Sequence, residues 1–113
     1  MKIYIAAPYE MRRKACSIAS WLESQGIEVT SRWLAGEVGE QSAWAQNDLD
    51  DIDRADLLLA LNPEEYRNKG TGGRHGEFLY AHARGKQLVL VGVRTNIFHH
   101  LDCVRVIERI EDL

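Results

Sequence analysis

Short apolar runs alternate along this chain with stretches in which apolar residues recur every three or four positions. The runs are KIYIAA at residues 2–7, IEVT at 27–30, LLLAL at 57–61 and QLVLV at 87–91. The first lacks the length of a helix and carries β-branched Ile3 and Ile5, so it predicts a buried strand closed by Pro8. LLLAL is apolar without a break, as a central parallel strand covered on both faces must be. Between the first two runs, Met11, Ala15, Ile18, Ala19 and Leu22 predict an amphipathic helix from Glu10 to Gln25, with Gly26 as its left-handed end. Ser42 is placed to cap a second helix ending near Arg54, and a third runs from about Arg74 to Arg84 and stops at Gly85. Residues 31–40, with Trp33, Gly36 and Gly39, predict a surface loop over a pocket mouth. The tail from Val104 offers a weak edge strand and a turn of helix.

Strands that alternate with helices at these short spacings imply βαβ units and a parallel sheet. The fold class expected is therefore α/β: a small doubly wound (Rossmann/flavodoxin-like) sheet of about four or five strands flanked by helices, with residues 1–113 as a single domain. Ligands of such sheets bind beyond the carboxyl ends of the strands. Here that edge carries Ala7-Pro8-Tyr9, residues 62–76 and residues 92–100.

Composition narrows the partners. Apolar residues are 45% and charged residues 27% of the 113, the profile of a globular protein in water. A formal net charge of −3 supplies no basic field for a nucleic-acid polymer. No run approaches the roughly 20 apolar residues of a membrane helix, and the charged opening residues do not read as a signal peptide. Cys16 and Cys103 lie far apart without metal-type spacing, and Cys16 sits at a core position of the first helix; both are expected to stay reduced in a cytoplasmic protein. The four histidines show no HxxxH or HxxE spacing, so no metal is expected. Of the acids on the second helix, Asp51 and Asp53 read most simply as solvent-facing.

The segment GTGGRHGE (70–77) places glycines between a strand and a helix, then a carboxylate in the first turn. Glycines there admit positive φ and close backbone approach, and the N–H groups at a helix start attract anions. The segment is neither a Walker loop nor GxGxxG, and no cofactor is expected. Glu77 has a plain alternative reading as a surface acid favoured by the helix dipole.

Three blocks, IYIAAP, NDLDDIDRADLLLAL and GEFLYAHARGKQLVLV, occur in an order and at a spacing that resemble the nucleoside 2-deoxyribosyltransferase superfamily, including the deoxynucleoside 5′-monophosphate N-glycosidases. The resemblance implies cleavage or exchange of an N-glycosidic bond in a nucleoside or its 5′-monophosphate. It implies Glu77 as nucleophile, Tyr4 as the phenol that holds it, and Asp48 as sugar orienter or acid at the leaving base. It further implies substrate contacts from Ala7, Pro8, Thr71, Gly72, Gly73, His75, Asn96 and His99, the last two with Arg94 reaching a neighbouring subunit of a homodimer. Thr71 stands where the monophosphate branch tends to carry a serine, which leans toward a 5′-phosphate. His75 replaces a usual glycine and reshapes the loop. Asp56 either hydrogen-bonds nearby loops or, by alignment with a recurrent aspartate, joins the site. Trp33 is placed to stack on a base and Trp44 to pack. Arg12 and Arg13 read as a solvated helix face. Two other readings are a nucleotide-sequestering module without turnover and a phosphoribohydrolase of the cytokinin-activating type, whose PGGxGTxxE loop GTGGRHGE loosely resembles.

Overall fold

The computed structural model describes residues 1–36 and 39–113. Among the described residues, five strands form one all-parallel sheet: β1 (Lys2–Ala6), β2 (Glu28–Val29), β3 (Leu57–Asn62), β4 (Gln87–Gly92) and β5 (Val104–Ile107). Their order is β2-β1-β3-β4-β5, so the chain reverses its direction of winding between β1 and β3. The sheet is covered, among the described residues, by helices α1 (Arg12–Ser24), α2 (Gln41–Arg54) and α3 (Gly73–Ala83). The predicted α/β architecture is the one observed.

Alternation along each strand divides the core in two. Ile3, Ile5, Leu57, Leu59 and Val89 face α1, where they meet Met11, Ala15, Ala19 and Leu22. Tyr4, Ala6, Leu58, Ala60, Leu88 and Leu90 face α2 and α3, where they meet Ile52, Phe78 and Ala81. A strand buried on both sides has no polar face to show, which is why β3 is apolar throughout. At its end Asn62 is buried, and its amide donates to Val93 O at 2.7 Å and Thr95 Oγ1 at 3.0 Å. Gly92 pairs with it at φ 119°, where a Cβ would lie 2.3 Å from Asn62 O, so no other residue fits.

Several expectations are corrected. Part of the predicted loop at 31–40 is a 3₁₀ turn, Arg32–Ala35, with Leu34 buried; residues 37 and 38 of that loop lie outside the described residues. Ser42 is not a cap, because α2 starts one residue earlier and its N-cap position, Glu40, makes no side-chain cap. Asp51 is wholly buried rather than solvent-facing. It accepts from Arg32 N at 2.9 Å, Arg32 Nε at 2.8 Å and Arg54 Nη2 at 2.7 Å, and so ties the 3₁₀ turn to α2. Asp53 is half-buried and joins α2 to α3 through Tyr80 and Arg84. Arg12 is half-buried, with its Nε enclosed and unpartnered, while Arg13 is exposed as expected. Asp56 accepts from Lys2 N at 2.9 Å, at the amino ends of β1 and β3. That is the edge of the sheet opposite to the one where ligands bind, so Asp56 has a structural role.

Candidate active site

A cleft of about 620 Å³ opens at the carboxyl edge of the sheet, beside the point where the winding reverses. Ala7 and Pro8 leave β1 into its floor. Thr71, Gly72 and Gly73 form the loop that enters α3, and Trp44 and Asp48 come from α2. Gly72 holds φ 95° and is the left-handed N-cap of α3, a conformation that a side chain would strain.

Three side chains converge here, Asp48 and Glu77 lining the cleft and Tyr4 buried beneath it. Tyr4 points from β1 toward the α2–α3 face and is fully buried; its hydroxyl donates to Glu77 Oε2 at 2.5 Å. Asp48, half-buried on α2, lies close enough to Glu77 to hydrogen-bond with it. Residues 4, 48 and 77 are far apart in the chain, and one strand and two helices bring them together.

The surroundings decide where the protons sit. Burial pushes the Glu77 carboxyl up, the Tyr4 hydrogen bond pulls it down, and the charge and hydrogen bond of Asp48 push it up again, to about 8. The alternative reading of Glu77 as a surface acid in the first turn of a helix is thus corrected. Glu77 is half-buried, and α3 begins at Gly73, so the carboxylate sits past the first turn, where the dipole is weaker than desolvation. Burial, followed by the charges of Glu77 and Asp48, drives the Tyr4 phenol far up, so it remains a hydrogen-bond donor at every physiological pH.

The structure separates the other predicted contacts into two groups. Ala7, Pro8, Thr71, Gly72 and Gly73 line the cleft with Glu77 and Asp48. His75, Asn96 and His99 are not among its lining residues and gather instead around one amide. Asn96 Nδ2 lies 3.2 Å from His75 Nδ1 and 3.3 Å from His99 Nε2, while Asn96 Oδ1 accepts from Phe98 N at 2.9 Å. His99 is buried in its own chain, accepts from Thr95 N at 3.0 Å, and meets the Phe78 ring edge-on. The reason is the helical period: His75 lies two residues before Glu77 and so faces away from it. Burial, then neighbouring positive groups headed by His75, lowers His99 to about 4.

Trp33 borders the cleft as expected. Its Nε1 donates to Ile5 O at 2.8 Å, which fixes the indole, and Tyr9 lies against it with ring centroids 6.3 Å apart. Trp44 lines the same cleft instead of only packing. Together with Trp33 and Asp48 it also borders a second hollow of about 610 Å³ between α1 and α2. Sequence reasoning missed Glu10 and Arg74. Glu10 accepts from Gly70 N at 3.2 Å, and Arg74 lines the cleft with its side chain largely buried. The signal for Arg74 was a cation in the first turn of a helix, where the dipole disfavours it.

No family model matches the chain, and no curated protein matches it in sequence. Among solved structures, the CMP N-glycosidase BcmB of Clostridium botulinum superposes with a TM-score of 0.70 at 22% identity, over 95% of this chain and 87% of that one. A 2-deoxyribosyltransferase from Leishmania mexicana superposes with a TM-score of 0.62 at 20% identity, over 82% of this chain and 65% of that one, just under two thirds of its length. The chain has the fold shared by these two enzymes.

Proposed function

We propose that this chain is an enzyme that cleaves or exchanges the N-glycosidic bond of a nucleoside or nucleotide, with residues 1–113 acting as one domain. The observation that carries this reading is the Tyr4–Glu77 hydrogen bond in a cleft that Asp48 also lines. The fold shared with an N-glycosidase and a deoxyribosyltransferase supports it.

In the reaction proposed, a Glu77 carboxylate oxygen forms a bond to C1′ of the sugar as the C1′–N bond breaks through an oxocarbenium-like state. The bonding pair leaves with the base, which takes a proton from Asp48. The proton that Glu77 and Asp48 share suits this division: Asp48 holds it while Glu77 attacks, which favours the acid role over sugar orientation. Tyr4 donates to the carboxylate oxygen, fixes its direction and releases it as the ester hydrolyses. Water then attacks C1′, Asp48 takes the water's proton and Glu77 is freed; a second base in place of water gives transfer. Trp33 offers a fixed face for the base.

The protein is further proposed to act in the cytoplasm as a homodimer. Among the described residues no helix is long and apolar enough to cross a membrane. Ile97 and Phe98, on the 3₁₀ turn after β4, are exposed and apolar, and they offer a surface for the second copy.

The test is to incubate the protein with the common ribo- and deoxyribonucleosides and their 5′-monophosphates, with and without added free base, and to follow base release or exchange. Turnover is expected to fall at least about a thousandfold in Glu77→Ala, the scale on which enzymes lose rate with their nucleophile. Normal turnover in that variant removes the assignment.

A further inference from the structure

Asp51 is a buried anion that the proposed reaction leaves unused. Its carboxylate, wholly enclosed, accepts from the main-chain N–H of Arg32 at 2.9 Å and from the guanidinium groups of Arg32 at 2.8 Å and Arg54 at 2.7 Å. Its carbonyl accepts from the Thr30 hydroxyl at 2.8 Å. Taking a carboxylate out of water is costly, and a buried ion cluster often stabilises a fold less than apolar side chains of the same volume. What it supplies is direction, because each donor must stand where the carboxylate can accept from it. The use of a carboxylate here therefore points to placement rather than to stability.

Both ends of this strut carry groups of the site. On α2, Asp48 stands three residues before Asp51, one turn along the same face of the helix. At the other end, Arg32 precedes Trp33, whose indole N–H donates to Ile5 O at 2.8 Å. Trp33 and Asp48 line the cleft together with Glu77, while Asp51 is not among the lining residues. The turn that bears Trp33 is also tied to β1, where Thr30 N donates to Ile3 O at 2.9 Å and Ser31 Oγ accepts from Ile5 N at 2.7 Å. So β1 holds the turn on one side, and Asp51 holds it against α2 on the other.

We propose that Asp51 is a positioning residue that sets the gap between Trp33 and Asp48, the face that receives the base and the acid that protonates it. This inference rests on the N-glycosidic reading of the same cleft. Asp51 meets no substrate atom: it acts through the backbone of Arg32 on Trp33, and through the preceding turn of α2 on Asp48. The departing ring nitrogen is thereby aligned with the Asp48 proton. Reactions are sensitive to such alignment, and a misplacement of about 1 Å costs on the order of a hundredfold in rate.

The experiment separates placement from stability. The ratio kcat/KM is measured for the nucleoside or nucleotide that the wild-type protein cleaves fastest, and for the same compound methylated on a ring nitrogen. The methylated base is cationic, so it takes the bonding pair, departs neutral and needs no proton from Asp48. In Asp51→Asn an amide N–H₂ faces the arginine donors and the strut is broken. That variant is expected to lose roughly 10- to 100-fold on the unmethylated compound and less than about fivefold on the methylated one. Arg32→Gln, at a half-exposed side chain, removes the Nε bond alone and should give the same contrast at smaller size. Asp53→Asn unties α2 from α3 instead, and it should lower the melting temperature while leaving both rates unchanged. In proton–nitrogen correlation spectra the Trp33 indole signal should move in Asp51→Asn and stay in place in Asp53→Asn. Equal losses on both compounds in a folded Asp51→Asn protein overturn the proposal. Should Asp51→Asn not fold, Arg32→Gln decides it, and equal losses in that variant overturn it as well. A wild-type protein that cleaves no glycosidic bond refutes the reading of the cleft and the role of Asp51 with it. An active wild type matched by an equally active Asp51→Asn refutes the role alone.

Discussion

With its carboxyl raised to about 8, Glu77 is mostly protonated in the empty cleft at neutral pH, and attack requires that proton to pass to Asp48. The pair therefore works with one proton between them, and activity should follow a bell in pH whose alkaline limb falls near 8. A pH–rate profile that stays flat from 7 to 9.5 contradicts this. Stability follows from the same shift. A carboxyl raised from 4.5 to about 8 contributes stability that is full below pH 4.5 and is lost as the pH climbs through 8. Glu77→Gln does not ionise, so at pH 8.5 it should melt roughly 5 °C above the parent, the effect of about 1 kcal/mol in a domain of this size. At pH 5 the gap should close, and melting curves at the two values check it. Tyr4→Phe removes the one donor that lowers Glu77. Its alkaline limb should move upward and kcat should fall roughly 100-fold, the usual loss of a positioned donor, while stability, read by urea titration, changes by about 1 kcal/mol.

Two of the polar contacts between elements each make a prediction. Asp51 joins the 3₁₀ turn at 32–35 to α2, and its loss leaves the Arg32 amide without an acceptor. The two arginines it binds are half exposed and regain water, so Asp51→Ala should cost about 2 kcal/mol rather than the larger figure of a wholly buried ion pair. A urea midpoint indistinguishable from the parent's would show that the amide is satisfied elsewhere. The Asn96 cluster joins α3 to the 3₁₀ turn after β4. His99 falls from its ordinary 6.5 to about 4 there, so the neutral ring contributes stability that is full above pH 6.5 and is lost as the pH falls toward 4. Gln in place of His99 should flatten that acid limb of a stability–pH curve between 7 and 4.5. An unchanged limb would mean that other groups govern it.

At the scale of the whole molecule, the sheet order places every carboxyl-end loop on one edge, yet the cleft takes its lining from the segments after β1, β2 and β3 and from α2 and α3, with no residue from the loop after β4. That last loop instead carries exposed Ile97 and Phe98 outward. If they seat a second copy, Ile97→Asp should turn a dimer into a monomer by light scattering without altering the fold. A wild-type protein that is monomeric at all concentrations rules the dimer out. His99 is buried within its own chain beside this surface.

Strand and helix order and the parallel sheet were legible in residue spacing because periodicity and turn chemistry are local, whereas Glu77 as candidate nucleophile came only from the resemblance of three sequence blocks to a known family. The run LLLAL read as a strand covered on both faces, and the blocks around β1, α2 with β3, and α3 carried Tyr4, Asp48 and Glu77 within recognisable surroundings. Distances through space are not written in spacing. That His75 turns away from Glu77, that Asp51 is buried, that Arg74 lines the cleft from a largely buried position and that Glu77 holds a proton all depend on which groups displace water around them. Those neighbours come from segments far apart in the chain, and only packing brings them within a few ångströms.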